Sequence, residues 1–130
     1  MLIDTSGLFS LYSQEDAHHA TANEAYQKSR RRITTSYILA EYVALALVRG
    51  LPRAEVLAFS EEVLDDASIE IIWIDEALHR RAVELLRQRQ DKTYSLCDAA
   101  SFVIMREHNM TDALTTDKHF EQEGFTRLLK

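Results

Sequence analysis

Apolar positions along this chain alternate between short runs rich in Ile, Leu, Val or Thr and longer stretches with helical spacing. The short runs suit strands, because β-branched residues pack well on a pleated surface and the runs are too brief for stable helices. Five strands are predicted, at residues 2–3, 33–35, 69–74, 113–116 and 126–129.

The segments between the predicted strands carry signals for helix starts and ends. Gly50 suits a helix end and Pro52 a first helical turn, while Ser36, Asp75 and Ser95 are candidate N-caps. Helices are predicted over residues 8–12, 17–28, 37–49, 52–66, 75–90, 95–107 and 119–122. The segment 37–49 is apolar almost throughout, so we predict a largely buried helix there.

Strands that alternate with helices predict the fold class α/β, here a three-layer α/β/α fold with a central, mainly parallel sheet of about five short strands. The length of 130 residues and the 46% hydrophobic content suit one core, and only 3 Gly and 1 Pro occur. We therefore expect a single domain over residues 1–130.

Charge and cysteine content narrow the cellular setting. The net charge of −6 does not favour nucleic acid binding through the overall field, although divalent ions at an acidic cluster would reverse the local sign. Cys97 is the only cysteine and the first residues lack signal-peptide features, so a cytoplasmic location is expected. The most apolar segment, 37–48, contains Glu41 and is shorter than the roughly 20 residues of a membrane span.

Glu41 is the most informative residue, because no other charge occurs in its helix before Arg49. Burial of a carboxylate among apolar neighbours costs roughly several kcal/mol of folding free energy, unless a cation or hydrogen-bond donors compensate the charge. Two interpretations without a functional site remain open for Glu41: an ion pair with a distant arginine such as Arg80 or Arg81, or a position on an exposed edge of the helix.

Three further acids have local explanations of their own. Asp98 fits a capping box with Ser95, and Asp4 and Asp117 each follow a predicted strand and precede a helical segment, as N-caps do. A shared site is the alternative, since ligands bind beyond the carboxyl ends of parallel strands where the strand order reverses. Oxygen ligands of this kind suit Mg²⁺ or Mn²⁺.

Other chemistries lack their sequence signals. The five histidines, at positions 18, 19, 79, 108 and 119, show no pairing with Cys97 and no HExxH pattern, so zinc is not predicted. No phosphate-binding glycine loop and no GxSxG nucleophile elbow occur.

With these residues in view, the whole chain resembles PIN domains, and especially the VapC-type toxin ribonucleases of prokaryotic toxin–antitoxin pairs. The matching pieces are Ile3-Asp4-Thr5-Ser6, Glu41 in its apolar helix, residues 94–102 around Asp98, and residues 114–120 around Asp117 with Gly124-Phe125.

The resemblance implies a Mg²⁺-dependent endoribonuclease, with Mn²⁺ as a substitute ion. It implies that Asp4, Glu41, Asp98 and Asp117 form the catalytic and metal-binding site, with Ser6 and Thr115 as supporting hydroxyls. It also implies a homodimer and a cognate antitoxin protein. The candidate RNA-binding residues are basic: Arg30, Arg31, Arg32, Arg49, Arg53, Lys92 and Lys118.

Two other functions remain open from the sequence. PIN-like folds include members that bind protein or RNA without cutting, so a catalytically silent module is the alternative. The acid after the first predicted strand also suggests a phosphatase of another α/β family. However, Asp4-Thr5-Ser6 lacks the second Asp of the DxD pattern that such enzymes resemble.

Overall fold

The computed structural model describes residues 1–130 and contains one five-stranded sheet. Its strands are β1 (Leu2–Ile3), β2 (Ile33–Thr35), β3 (Glu70–Ile72), β4 (Asp112–Leu114) and β5 (Thr126–Arg127). The spatial order is β3-β2-β1-β4-β5, and all four pairings are parallel. The predicted parallel α/β fold is confirmed.

Seven helices connect and cover the strands. They are α1 (Thr5–Tyr12), α2 (His19–Lys28), α3 (Ser36–Val48), α4 (Arg53–Asp65), α5 (Glu76–Gln88), α6 (Leu96–Glu107) and α7 (Lys118–Gln122). The chain steps outward from β1 first to one side and then to the other, so right-handed crossovers place helices on both faces of the sheet. No helix combines the length and the apolar character that a membrane crossing requires.

Tertiary pairing explains why some predicted boundaries were wrong. The strand predicted at 69–74 is confined to Glu70–Ile72, because its partner β2 has three residues and the register pairs Thr35 with Ile72. Thr35, not Ser36, caps α3: its hydroxyl accepts from the Ile38 amide at 3.1 Å.

The prediction that α3 is largely buried was also wrong. Ile38 and Tyr42 are fully buried, but Leu45 is 38% exposed and Val48 is 84% exposed. A helix that is apolar on every side contains no polar stripe to mark its outer face, so its sequence could not indicate this orientation.

Gly7 allows α1 to lie directly against the end of β4. A Cβ at this position would lie 2.2 Å from the carbonyl oxygen of Leu114, a backbone atom that cannot move aside cheaply. We expect Gly7→Ala to lower the free energy of unfolding by about 3 kcal/mol, measured by urea denaturation. Alanine normally stabilises a helix interior relative to glycine, so an increase in stability would contradict this close approach.

Candidate metal centre

The topology places β1 and β4 side by side at the point where the strand order reverses. Asp4 directly follows β1, and its amide donates to the Leu114 carbonyl at 3.1 Å. Thr115 and Asp117 follow β4 on the same edge. Parallel strands present their carboxyl ends together, so these side chains meet in the crevice where α/β folds bind ligands.

Asp4 is a buried carboxyl group, only 5% exposed. Although it occupies the N-cap position of α1, its side chain makes no capping hydrogen bond. It accepts instead from the Thr115 hydroxyl, 2.8 Å from Oδ2. Burial raises the pKa of Asp4 to about 7, and the nearby charges of Asp98 and Glu41 add to this rise. A cation is therefore needed to keep Asp4 ionised at little cost.

Two hydroxyls join the ends of β1 and β4. Thr115 Oγ1 accepts from the Asp117 amide at 3.0 Å and lies 3.2 Å from Ser6 Oγ. Ser6 Oγ also accepts from the Thr116 amide at 2.9 Å. These contacts fix Asp4 and Asp117 relative to each other.

Glu41 is half-buried on α3 and has no arginine partner. Its Oε1 accepts from the Thr5 hydroxyl at 2.6 Å. The two arginines considered from the sequence pair elsewhere, Arg80 with Glu76 and Arg81 with Glu107. The ion-pair interpretation of Glu41 was therefore wrong, and its carboxylate faces the acidic cluster.

Asp98 is both a helix cap and a member of the cluster. Its Oδ2 accepts from the Ser95 amide at 3.0 Å, while its own amide donates to the Ser95 hydroxyl at 3.0 Å. The same Oδ2 lies 3.2 Å from Nδ1 of His119. The capping and site interpretations of Asp98 are thus compatible.

Asp117 caps α7 and brings a histidine into the site. Asp117 Oδ1 accepts from the His119 amide at 2.9 Å and lies 3.4 Å from the His119 ring nitrogen Nδ1. One ligand atom each from Asp98, Asp117 and His119 fall within 4.8 Å of one another. His119 has no predicted role from the sequence, although it lies two residues after Asp117 within segment 114–120 that resembles PIN domains.

Cys97, the single cysteine of the chain, lies close to the acidic cluster. Its burial, together with the charges of Glu41, Asp4 and Asp98, raises the pKa of the thiol well above its usual range. Cys97 is therefore protonated at neutral pH and is not a thiolate nucleophile.

The short helix α7 is anchored at its carboxyl end by Glu123. This residue is 8% exposed and accepts hydrogen bonds from Arg89 at 2.9 Å and from the Tyr94 hydroxyl at 3.1 Å. Arg106 on α6 lies 2.7 Å from the same carboxylate. The anchor joins α7 to α6, and so sets His119 beside Asp98.

The candidate RNA-binding residues lie at different places in the fold. Residues 30–32 precede β2, and the Met1 amine donates to the Arg31 carbonyl at 2.6 Å, so this basic turn lies at the amino edge of the sheet, opposite the acids. Arg49, which packs over the Phe9 ring at 4.3 Å, ends α3 roughly 12 Å along the helix from Glu41.

Lys92 and Lys118 lie on the acidic edge. Lys118 directly follows Asp117, and Lys92 adjoins Thr93, whose hydroxyl is 3.1 Å from His119 Nε2. Of the predicted basic residues, these two adjoin residues of the acidic edge in the chain, and Lys92 also pairs with Asp91 at 3.3 Å.

The donor set fits a divalent cation. None of the four acids pairs with a lysine or an arginine. His119 is the only basic side chain that contacts Asp98 and Asp117. Buried carboxylates without cations are costly, whereas Mg²⁺ and Mn²⁺ bind such oxygens while keeping waters for a substrate.

Comparisons with known proteins agree with this architecture. The PIN domain family model matches residues 1–125. The 23S rRNA-specific endonuclease VapC20 of Mycobacterium tuberculosis is 30% identical over 129 residues, which cover 98% of this chain and 97% of that protein. The VapC ribonuclease of Archaeoglobus fulgidus is 31% identical over 112 residues, 82% of this chain and 70% of that protein.

A solved structure shows the same fold. The crystal structure of M. tuberculosis VapC20, described as a Sarcin-Ricin loop cleaving toxin, superimposes with a TM-score of 0.87 at 24% identity. The match covers 99% of this chain and 98% of that chain. Fold, site position and family model together lead to one conclusion: this chain belongs to the PIN domain family.

Proposed function

We propose that this protein is a metal-dependent endoribonuclease and the toxin of a type II toxin–antitoxin system. The observation that carries the proposal is the grouping of four acids that have no lysine or arginine partner. Asp98 and Asp117 lie in one cluster with His119, and Asp4 is close enough to Asp98 and Glu41 for their charges to add to the rise in its pKa that burial causes. Family membership and the relatives named as ribonucleases support the same activity.

The chain's own residues organise the reaction. The four acids would hold Mg²⁺, or Mn²⁺ in its place, and a divalent ion bound there would supply an activated water and neutralise charge developing on the phosphate. Thr115 orients Asp4, and the Ser95 amide orients Asp98. In-line attack of water on phosphorus breaks the bond to the 3′ oxygen, which takes up a proton, and leaves 5′-phosphate and 3′-hydroxyl ends.

Incubation with RNA tests the proposal. Purified protein free of antitoxin is mixed with ribosomal, transfer and messenger RNA, with Mg²⁺ or Mn²⁺ and with EDTA. We expect cleavage with metal and none with EDTA. Ribosomal RNA is the first substrate to test, because one relative is named as a 23S rRNA-specific endonuclease. Intact RNA in every reaction would favour the catalytically silent module.

Replacing the two lysines of the acidic edge tests their contact with RNA. The double variant Lys92→Glu with Lys118→Glu is expected to bind RNA about tenfold more weakly at low salt, because two phosphate contacts are lost. The matched control is Arg30→Glu with Arg31→Glu, in the basic turn at the amino edge of the sheet, which changes the net charge equally on the side opposite the acids. Filter binding in EDTA measures affinity without cleavage. Equal weakening by both pairs would contradict a specific role for the lysines.

Assembly is part of the proposal. We propose a single domain over residues 1–130 that forms a homodimer and binds an antitoxin protein in the cytoplasm. Exposed apolar side chains support such contacts, including Val48 at 84% and Trp73 at 65% exposure. Burial of such side chains between two chains would remove apolar surface from water.

A further inference from the structure

His119 supplies the only side-chain nitrogen that contacts the acidic site, and its ring is held in place on two sides. Nδ1 faces Oδ2 of Asp98 at 3.2 Å and Oδ1 of Asp117 at 3.4 Å. On the other side, Nε2 lies 3.1 Å from the Thr93 hydroxyl, and the ring packs edge-on against Tyr94. The imidazole is therefore an oriented group and not a mobile surface side chain.

The spacing of the three atoms matches that of ligands around one ion. Ligands that bind a transition metal at about 2.0–2.2 Å lie about 2.8–3.6 Å from each other when they are neighbours in a tetrahedral or octahedral shell. Both distances from Nδ1 fall in this range, and all three ligand atoms lie within 4.8 Å of one another.

The Thr93 contact is compatible with the tautomer that a metal ligand needs. When Nε2 carries the proton and donates to Thr93, Nδ1 presents a lone pair to two carboxylate oxygens. A metal ion bound between the three atoms would take the place of the proton that otherwise joins Nδ1 to Asp98. Histidine ligands of metals in proteins commonly donate their second ring nitrogen to an oxygen in this way.

We propose that His119 is a direct nitrogen ligand of the metal site, through Nδ1 and together with Asp98 and Asp117. The site then selects transition-metal ions over Mg²⁺, and it binds Zn²⁺ more tightly than Mn²⁺. Imidazole nitrogen raises affinity along the series from Mn²⁺ to Zn²⁺, while Mg²⁺ prefers oxygen. The inference rests on the proposed metal-dependent function, because it names a ligand and an ion class for that same site.

Mn²⁺ bound to the full-length wild-type protein tests this ligand without any assay of activity. Pulsed electron paramagnetic resonance is expected to show a nitrogen coupling to Mn²⁺, which changes to the ¹⁵N pattern when the protein carries [¹⁵N]histidine. The coupling should be absent in His119→Ala and present in His18→Ala, whose histidine lies at the start of α2. Mn²⁺ binding without a nitrogen coupling would overturn the inference and leave the proposed function standing.

Affinities measured by competition with a fluorescent chelator provide the second readout. His119→Ala is expected to weaken Zn²⁺ binding about a hundredfold and Mg²⁺ binding less than about threefold, because only the first ion gains from imidazole. Equal loss for both ions would overturn the ligand assignment. No binding of Mn²⁺ by the wild-type protein would overturn the proposed metal dependence as well.

Discussion

Replacement of Asp98 by asparagine is expected to lower the rate of RNA cleavage at least about a thousandfold, because the site loses a metal-binding charge. The fold should persist. Asparagine keeps a carbonyl oxygen that can accept from the Ser95 amide, so the capping box at the start of α6 survives. Initial rates on a labelled RNA, with circular dichroism as the fold check, measure the effect.

The matched control separates the two roles of Asp98. Ser95→Ala removes the hydroxyl that accepts from the Asp98 amide but leaves the carboxylate in place. This variant should lose about 1 kcal/mol of stability and keep cleavage within about threefold of wild type. If Asp98→Asn cleaved RNA as well as Ser95→Ala does, Asp98 would be a cap only.

Replacement of Asp4 by asparagine is expected to stabilise the metal-free protein, and the gain should depend on pH. Burial raises the pKa of this carboxyl from 3.8 to about 7, which corresponds to a free-energy cost on the order of 4 kcal/mol for keeping it ionised in the folded state. Asparagine is neutral at every pH and avoids this cost, while still accepting from the Thr115 hydroxyl.

The sign follows from proton linkage. The folded state binds the Asp4 proton more tightly than the unfolded chain, so the stability associated with this group is complete below about pH 4 and is lost as the pH rises to about 7. The difference in free energy of unfolding between Asp4→Asn and wild type should therefore grow from pH 4 to pH 7 and level off above it. Urea unfolding in EDTA at closely spaced pH values measures this difference.

Metal should reduce the stability advantage of the asparagine variant. At a Mn²⁺ concentration a hundred times its Kd, wild type should gain about 2.7 kcal/mol, whereas the asparagine variant has lost a charged ligand and should gain much less. A difference between the two proteins that did not vary with pH in EDTA would contradict the burial of an ionisable Asp4.

Local sequence determined most of the secondary structure. The carboxyl end of α3 illustrates this, because Gly50 at φ +81° ends the helix without any distant contact. The alternation of strands and helices likewise fixed the parallel α/β class, since crossover connections have one favoured hand. The capping box at Ser95 was readable from residue types and spacing alone.

The sequence also pointed to the four acids, but not to how they meet. Each of them has a sufficient local explanation, and only the reversal of strand order at β1 and β4 brings Asp4 and Asp117 to one edge. The approach of His119 to Asp98 depends on α7 being anchored through Glu123 to α6, a contact between segments far apart in the chain. The exposed side of α3 could not be predicted either, because in a uniformly apolar helix the packing of neighbouring elements alone decides which face is exposed. Periodicity and caps are properties of neighbouring residues and can be read along the chain, whereas the charge environment of a carboxylate is set by groups that only folding brings within a few ångströms.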